Sequence, residues 1–219
     1  GLPNYPFQRQ RHWYNAIDVC YRRVWEARTL DNAAANRHGG LWVVCADQPW
    51  PALTRALEQA GCRVAYATHD TYLDHARGAE RLQGVLHLWQ PSPDGVDVAA
   101  ALDRLATLAR TLAARPDAPA LWVATRQSTS AGDAPVTAPF APALAAMGRC
   151  LFLEYTAIKG GLVDVAGSED ADAVLLAAEL LARAGEDCVT LSGGHRFVSR
   201  LESYRPVDAN PVPVSRDGA

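Results

Sequence analysis

From Leu41 onward the chain alternates short, almost unbroken apolar runs with longer stretches of helical period, and this alternation limits the fold more than any other feature. A short run that is apolar at every position has both faces to bury. Parallel strands joined by crossover helices bury both. The runs at 41–45, 62–67, 84–89, 120–125, 161–165 and 188–191 are therefore read as strands. Between the first two, Pro51 suits a helix start, Leu53, Leu57 and Ala60 share a face, and Gly61 can take the left-handed stop. Val98, Leu102, Leu105, Leu108 and Leu112 trace one stripe opposite Asp103, Arg104 and Arg110, which predicts an amphipathic helix over 97–114. Ser168 can cap another helix, with Glu169, Asp170 and Asp172 near its positive dipole end and Gly185 closing it. The segment 143–155, with Leu144, Met147, Leu151 and Phe152, is apolar nearly all round and should be a buried helix. Residues 67–84 carry little periodicity and allow only a short or irregular helix, and 127–142 reads as a loop. The fold class is α/β: a doubly wound, mainly parallel sheet with helices on both faces.

Composition narrows the function. With 219 residues, a net charge of -3 and 49% hydrophobic residues, the chain can form a core, offers no basic field for nucleic acid, and has no run of about 18 apolar residues to span a membrane. No secretory signal is visible, and the missing initiator Met suggests a piece of something longer. Cys20, Cys45, Cys62, Cys150 and Cys188 cannot all pair, and most sit in apolar runs, so free thiols in a reducing cytoplasm are expected. None is spaced as C-x-x-C, so a structural metal has little support.

A doubly wound sheet invites a dinucleotide, which needs glycines in the turn after the first strand. That turn reads Ala46, Asp47, Gln48, Pro49, Trp50, Pro51, with no glycine before Gly61, and Gly39 and Gly40 precede the strand. No cofactor site is expected. One motif pulls the other way: Tyr155 and Lys159 form Y-x-x-x-K, which on one helix face would let the ammonium lower the phenol pKa, as in short-chain dehydrogenases. Gly160 and Gly161 follow at once, and the rest of that machinery is missing, so coincidence outweighs catalysis. His69, Asp70, Asp74 and His75 could be drawn as a metal cluster but fit a solvated turn better. Ser192, Gly193, Gly194 and His195 pair a nucleophile type with a base type, yet read more simply as a hairpin turn. His87 reads as a core histidine with one backbone hydrogen bond, and Trp42, Trp89 and Trp122 as core indoles whose N–H groups need partners.

The first residues, Leu2, Pro3, Asn4, Tyr5, Pro6, Phe7, Gln8, Arg9, Gln10, Arg11, His12, Trp13 and Tyr14, resemble the LP-x-YPFQR-x-R-x-W segment that follows the acyltransferase in modular type I polyketide synthases. The rest resembles the structural subdomain of a ketoreductase from such synthases. Tyr21, Arg22, Val24 and Trp25 look like its first strand, residues 84–89 like its GVVHLW strand, and 121–126 like its LWLVTR strand. Gly148, Arg149, Leu153, Glu154, Gly160, Gly161, Leu162, Val163 and Asp164 resemble its GLGR…LEHPELWGGLVDL stretch. Glu186, Asp187, Gly193, Gly194, Arg196, Phe197, Val198, Arg200 and Leu201 resemble its closing EDQ…GGRRYVxRL stretch.

The resemblance implies a truncated Rossmann-like fold without cofactor over 21–205, a post-acyltransferase linker over 1–20 packing on the ketosynthase–acyltransferase region through 2–14, and a linker over 206–219. It implies a scaffold for a catalytic half that reduces a β-ketoacyl group on an acyl carrier protein with NADPH. No catalytic, cofactor-binding or metal residue carries over, because Tyr155 and Lys159 stand where the family has the His and Trp of EHPELW. The alternatives are a partial NADPH-dependent reductase using Tyr155 and Lys159, and a pseudo-ketoreductase scaffold beside another tailoring domain such as a methyltransferase. Residues 21–25 and 196–201 are expected to form a two-stranded ribbon outside the main sheet, docking on the catalytic half and leaving Val24, Trp25, Phe197 and Leu201 as an apolar patch.

Overall fold

The computed structural model describes residues 20–30, 39–78, 81–90, 95–129, 131, 136–166, 170–182 and 184–204. The linker assigned to 1–20 lies outside these residues except for Cys20, and the tail 206–219, Ser168 and Glu169 lie outside them altogether. The strands are β1 (Cys20–Ala27), β2 (Leu41–Cys45), β3 (Arg63–Ala67), β4 (Leu82–His87), β5 (Ala120–Arg126), β6 (Lys159–Val165), β7 (Cys188–Ser192) and β8 (His195–Tyr204). The helices are α1 (Pro51–Gln59), α2 (Tyr72–Arg77), α3 (Val98–Ala113), α4 (Ala141–Glu154) and α5 (Asp170–Ala182). Each of the six strands read from apolar runs is present within two residues of its expected ends.

The strands form one sheet in the order β1-β8-β7-β6-β5-β4-β2-β3. Neighbours from β3 through to β7 are parallel, whereas β7 and β8 are antiparallel. Burial explains the continuous apolar runs, since all five residues of β2 are buried. Trp42 and Val44 join the core with Leu53 and Leu57 of α1 and Leu176 and Leu180 of α5. Leu41, Val43 and Cys45 join the opposite core with Leu105, Leu108 and Leu112 of α3 and Leu144 of α4. Burial pushes the Cys45 thiol up to about 12, so it is inert filling.

Two glycines are dictated by tryptophans on the neighbouring strand. Trp42 is in register with Gly84, and Trp122 with Gly161. A Cβ on Gly84 would stand 2.5 Å from the Trp42 ring, and one on Gly161 2.6 Å from Trp122. The indoles occupy the space of both side chains. Their polar ends are poorly served: Trp89 and Trp122 Nε1 are buried without a hydrogen-bond partner, and Trp42 has only a contact with the Cys62 sulfur.

The described residues divide into two compact units, residues 25–199 and the strand ends outside them. In the larger unit, Ser192 pairs with His195 across Gly193 and Gly194, whose φ values of 56° and 77° make a tight two-residue hairpin turn. This corrects the expectation of a ribbon outside the main sheet, because the hairpin welds β8 onto β7. Arg196 and Val198 turn inward and are buried, so the first half of β8 is a core strand. Glu179 of α5 grips Arg196 in a buried bidentate pair, Nε–Oε2 2.6 Å and Nη2–Oε1 3.1 Å. Asp172 of α5 accepts the Gly194 N–H at 3.0 Å. In the smaller unit, Arg22 pairs with Glu202 at 2.9 Å and its guanidinium lies 5.8 Å from the Tyr204 ring. Of the expected apolar patch, Leu201 is 74% exposed, and Val24, Trp25 and Phe197 are half-buried.

Candidate functional site

In an open α/β sheet ligands bind beyond the carboxyl ends of the strands, where the strand order reverses. Here β2 leads to β3 on one side and to β4 on the other, so the crevice to inspect lies past Cys45 and His87. The turn after β2 fills it. Trp50, the residue before α1, is 7% exposed, and the Arg126 guanidinium lies 4.8 Å over its ring. The Trp50 N–H donates to the Tyr66 hydroxyl at 3.0 Å, and the Trp50 carbonyl accepts from Thr54 and Tyr66 hydroxyls, each at 3.2 Å. Pro51 has no N–H to offer. A phosphate at a helix N-terminus is held by free backbone N–H groups on a chain slim enough to approach. These residues do not fit a dinucleotide.

The neighbouring strand ends are tied together by polar groups. Gln90 Nε2 donates to the carbonyls of Leu88, Trp89 and Ala124 at 3.2, 3.0 and 2.9 Å, and its Oε1 accepts the Arg126 N–H at 3.2 Å. Asp164 at the end of β6 is 3% exposed and is the hub of a denser network. Its Oδ1 accepts the Thr125 and Ser128 hydroxyls, both at 2.7 Å, and the Ser128 N–H at 3.1 Å. Its Oδ2 accepts the Thr129 N–H at 3.0 Å and the Thr129 hydroxyl at 2.9 Å. With the Thr129 proton thus placed, Thr190 donates to Thr129 across 3.0 Å. A buried carboxylate is tolerated only with its lone pairs satisfied, and this one pins the loop after β5 onto β6 and β7. All its hydroxyl partners have their protons committed, which makes it a clasp.

Tyr155 and Lys159 do not share a helix. α4 ends at Glu154, Tyr155 caps it with φ -117° and ψ 67°, and Lys159 begins β6 after the 3-10 turn Thr156–Ile158. The Lys159 ammonium pairs with Asp187 at 2.5 Å. A Cβ on Gly160 would stand 2.5 Å from the Leu121 carbonyl, so this stretch must run extended against β5, and the helical reading of Y-x-x-x-K is corrected.

His69 and Asp70 form a turn before α2, and Asp74 and His75 lie within it. His69 Nε2 is 3.3 Å from Asp47, and among the described residues no group of three or more His, Cys, Asp or Glu could hold a metal ion. Ser192 and His195 are the paired residues of the β7–β8 hairpin. His87 is 1% exposed, and neither ring nitrogen reaches a partner beyond its own backbone, which corrects the expected hydrogen bond. Burial first, and the Arg104 charge second, lower its pKa to about 3.

The Asp164 clasp and the Arg196–Glu179 pair were not singled out from the sequence as bonded sites. Their signal was there: a carboxylate inside the apolar run Leu162–Val165 needs partners, and the hydroxyl-rich Ser128 and Thr129 follow the adjacent strand.

No protein-family model matches the sequence. Erythronolide synthase EryA3 of Saccharopolyspora erythraea is 30% identical over 220 residues, which cover 91% of this chain and 7% of that protein. Among solved structures, a C2-type ketoreductase from a modular polyketide synthase is 24% identical with a TM-score of 0.65, over 87% of this chain. An A1-type ketoreductase is 25% identical with a TM-score of 0.64, also over 87% of this chain. It belongs with the ketoreductase-related regions of modular polyketide synthases. The region spans less than half of these ketoreductases, 45% of the first and 43% of the second. Its Rossmann-like sheet matches theirs. Among the described residues no helix is long and apolar enough to cross a membrane.

Proposed function

We propose that residues 21–205 are the noncatalytic structural subdomain of a polyketide synthase ketoreductase. The subdomain stabilises a catalytic half that reduces a β-ketoacyl group on an acyl carrier protein with NADPH. Residues 1–20 are then the linker after an acyltransferase, resting on the ketosynthase–acyltransferase region through 2–14, and 206–219 lead toward the catalytic half. One observation carries the reading: the fold keeps the crossover topology of a dinucleotide-binding sheet while Trp50, Pro51, Tyr66 and Arg126 fill the turn where a pyrophosphate would rest. The separation of Tyr155 from Lys159 onto different elements supports it, since a proton-donating phenol needs the ammonium beside it. So does the match to under half of each ketoreductase, which leaves a second half of similar size for the chemistry.

The test is a titration with NADPH, following energy transfer from tryptophan to the nicotinamide, with an intact two-subdomain ketoreductase as positive control. No transfer up to millimolar cofactor is expected. Saturable transfer would overturn the scaffold reading and return Tyr155 and Lys159 to candidacy.

A further inference from the structure

A cavity of about 660 Å3 opens between the last turns of α2 and α3. Because α2 leads into β4 and α3 into β5, it lies at the amino ends of those strands, away from the filled turn beyond the carboxyl ends. Its lining holds Arg77, Arg110, Arg115 and Asp117, a positive concavity on a chain whose net charge is -3. Arg115, 10% exposed, is committed. Its Nη1 donates to the carbonyls of Ala76 and Gly78 at 2.9 and 2.6 Å, and its Nε and Nη2 donate to Asp117 at 2.8 and 3.0 Å. Arg77 and Arg110 are exposed and differ. Among the described residues Arg110 donates to the Thr107 hydroxyl at 3.1 Å, Arg77 has no bonded partner, and neither meets a carboxylate. A cation in a last helical turn is ordinarily explained by the helix dipole. Here Arg115 already serves the end carbonyls of α2, so the dipole does not account for the Arg77 fork or for its sharing one concavity with Arg110.

The cavity already holds one anionic group. Hydrogen bonds from Arg115 keep the Asp117 carboxyl below the usual carboxylate range, and the charges of Arg115 and Arg81 act in the same direction. Concave walls of one sign concentrate counter-ions, and guanidinium forks match the paired oxygens of carboxylates and phosphates. The rest of the lining is small, with Ala76, Ala114 and Pro116, and offers no aromatic face for a nucleobase and no large apolar side chain for an acyl chain. We propose that this cavity binds a small free oxyanion with at least two acidic groups, a polycarboxylate or a polyphosphate, held by the Arg77 and Arg110 guanidinium groups. The site stands apart from the scaffold reading, which rests on the other ends of the strands.

The experiment titrates the chain with pyrophosphate and with citrate at low ionic strength, read by calorimetry. Saturable one-to-one binding of at least one of them is expected. Arg77→Gln and Arg110→Gln should each weaken it about tenfold or more, whereas Arg55→Gln, which removes an exposed arginine on α1, should leave it unchanged. Arg77→Lys and Arg110→Lys keep the charge but lose the fork, and should still bind more weakly than the wild type. Equal weakening by all the glutamine variants would assign the binding to diffuse surface charge and overturn the site. Failure of both anions to saturate would overturn it as well. A third arm titrates a short oligoglutamate peptide with blocked ends: saturation by the peptide and by neither small anion would assign the cavity to an acidic protein segment and overturn the proposal.

Discussion

His87 makes this protein acid-sensitive well above the range where carboxylates titrate. Its imidazole sits in the core 5.4 Å from the Trp89 ring, with its pKa lowered from 6.5 to about 3 by burial and by Arg104. Above pH 6.5 the group is neutral whether the chain is folded or not. Below that the unfolded chain takes up a proton that the folded one refuses, so stability falls as pH falls, until the folded site also protonates near 3. The slope is about 1.4 kcal/mol per pH unit, so stability from this residue alone drops by about 2 kcal/mol between pH 7.5 and pH 5. The assay is urea unfolding at both pH values of the wild type and of His87→Leu, which keeps the volume and removes the titration. The variant should lose about 2 kcal/mol less than the wild type on acidification. Parallel losses in wild type and His87→Leu would refute the reasoning, and would mean that water reaches the buried imidazole.

Other substitutions test other parts of the fold. Arg196→Met leaves Glu179 buried without its partner and should cost about 3–5 kcal/mol in chemical denaturation, most of it recovered by adding Glu179→Gln; a loss below about 1 kcal/mol would show that water reaches the pair. Asp164→Ala should cost about 3 kcal/mol and speed amide exchange at Ser128 and Thr129, whereas unchanged exchange there would mean that the loop holds itself. Gly84→Ala forces a methyl to 2.5 Å from the Trp42 ring and should cost about 1–3 kcal/mol, read as a lowered Tm; an unchanged Tm would mean that the indole can slide.

Legibility followed periodicity. The stripe of Leu105, Leu108 and Leu112 and the unbroken runs of β2 and β5 announce their elements, because burial on one face or on two leaves a mark in local order. Long-range anchoring leaves no such mark. The hairpin turn at Ser192, Gly193, Gly194 and His195 is a local sign that residues 196–201 join β7, whereas the burial of Arg196 depends on Glu179 on another element. Asp172 is masked for a similar reason: an acid in a first helical turn already has a sufficient explanation in the helix dipole, and its bond to Gly194 leaves no local sign. At the site, the filled turn at Trp50 is readable from the absence of glycine, whereas the Asp164 clasp depends on a loop residue, Ser128, meeting a strand residue 36 positions further on at the sheet's end.

The pairing of Trp42 with Gly84 also bears on how such a sequence can drift. The two positions share a single side-chain volume, since one residue has surrendered its share to the other. Neither position can therefore change alone: enlarging 84 requires shrinking 42, and shrinking 42 leaves a hole that only 84 can refill. In a set of related sequences the two columns should vary as one, with glycine at 84 persisting where 42 is tryptophan and giving way to a branched residue where 42 becomes small. The same coupling should link 122 with 161, so inheritance at four positions reduces to two choices.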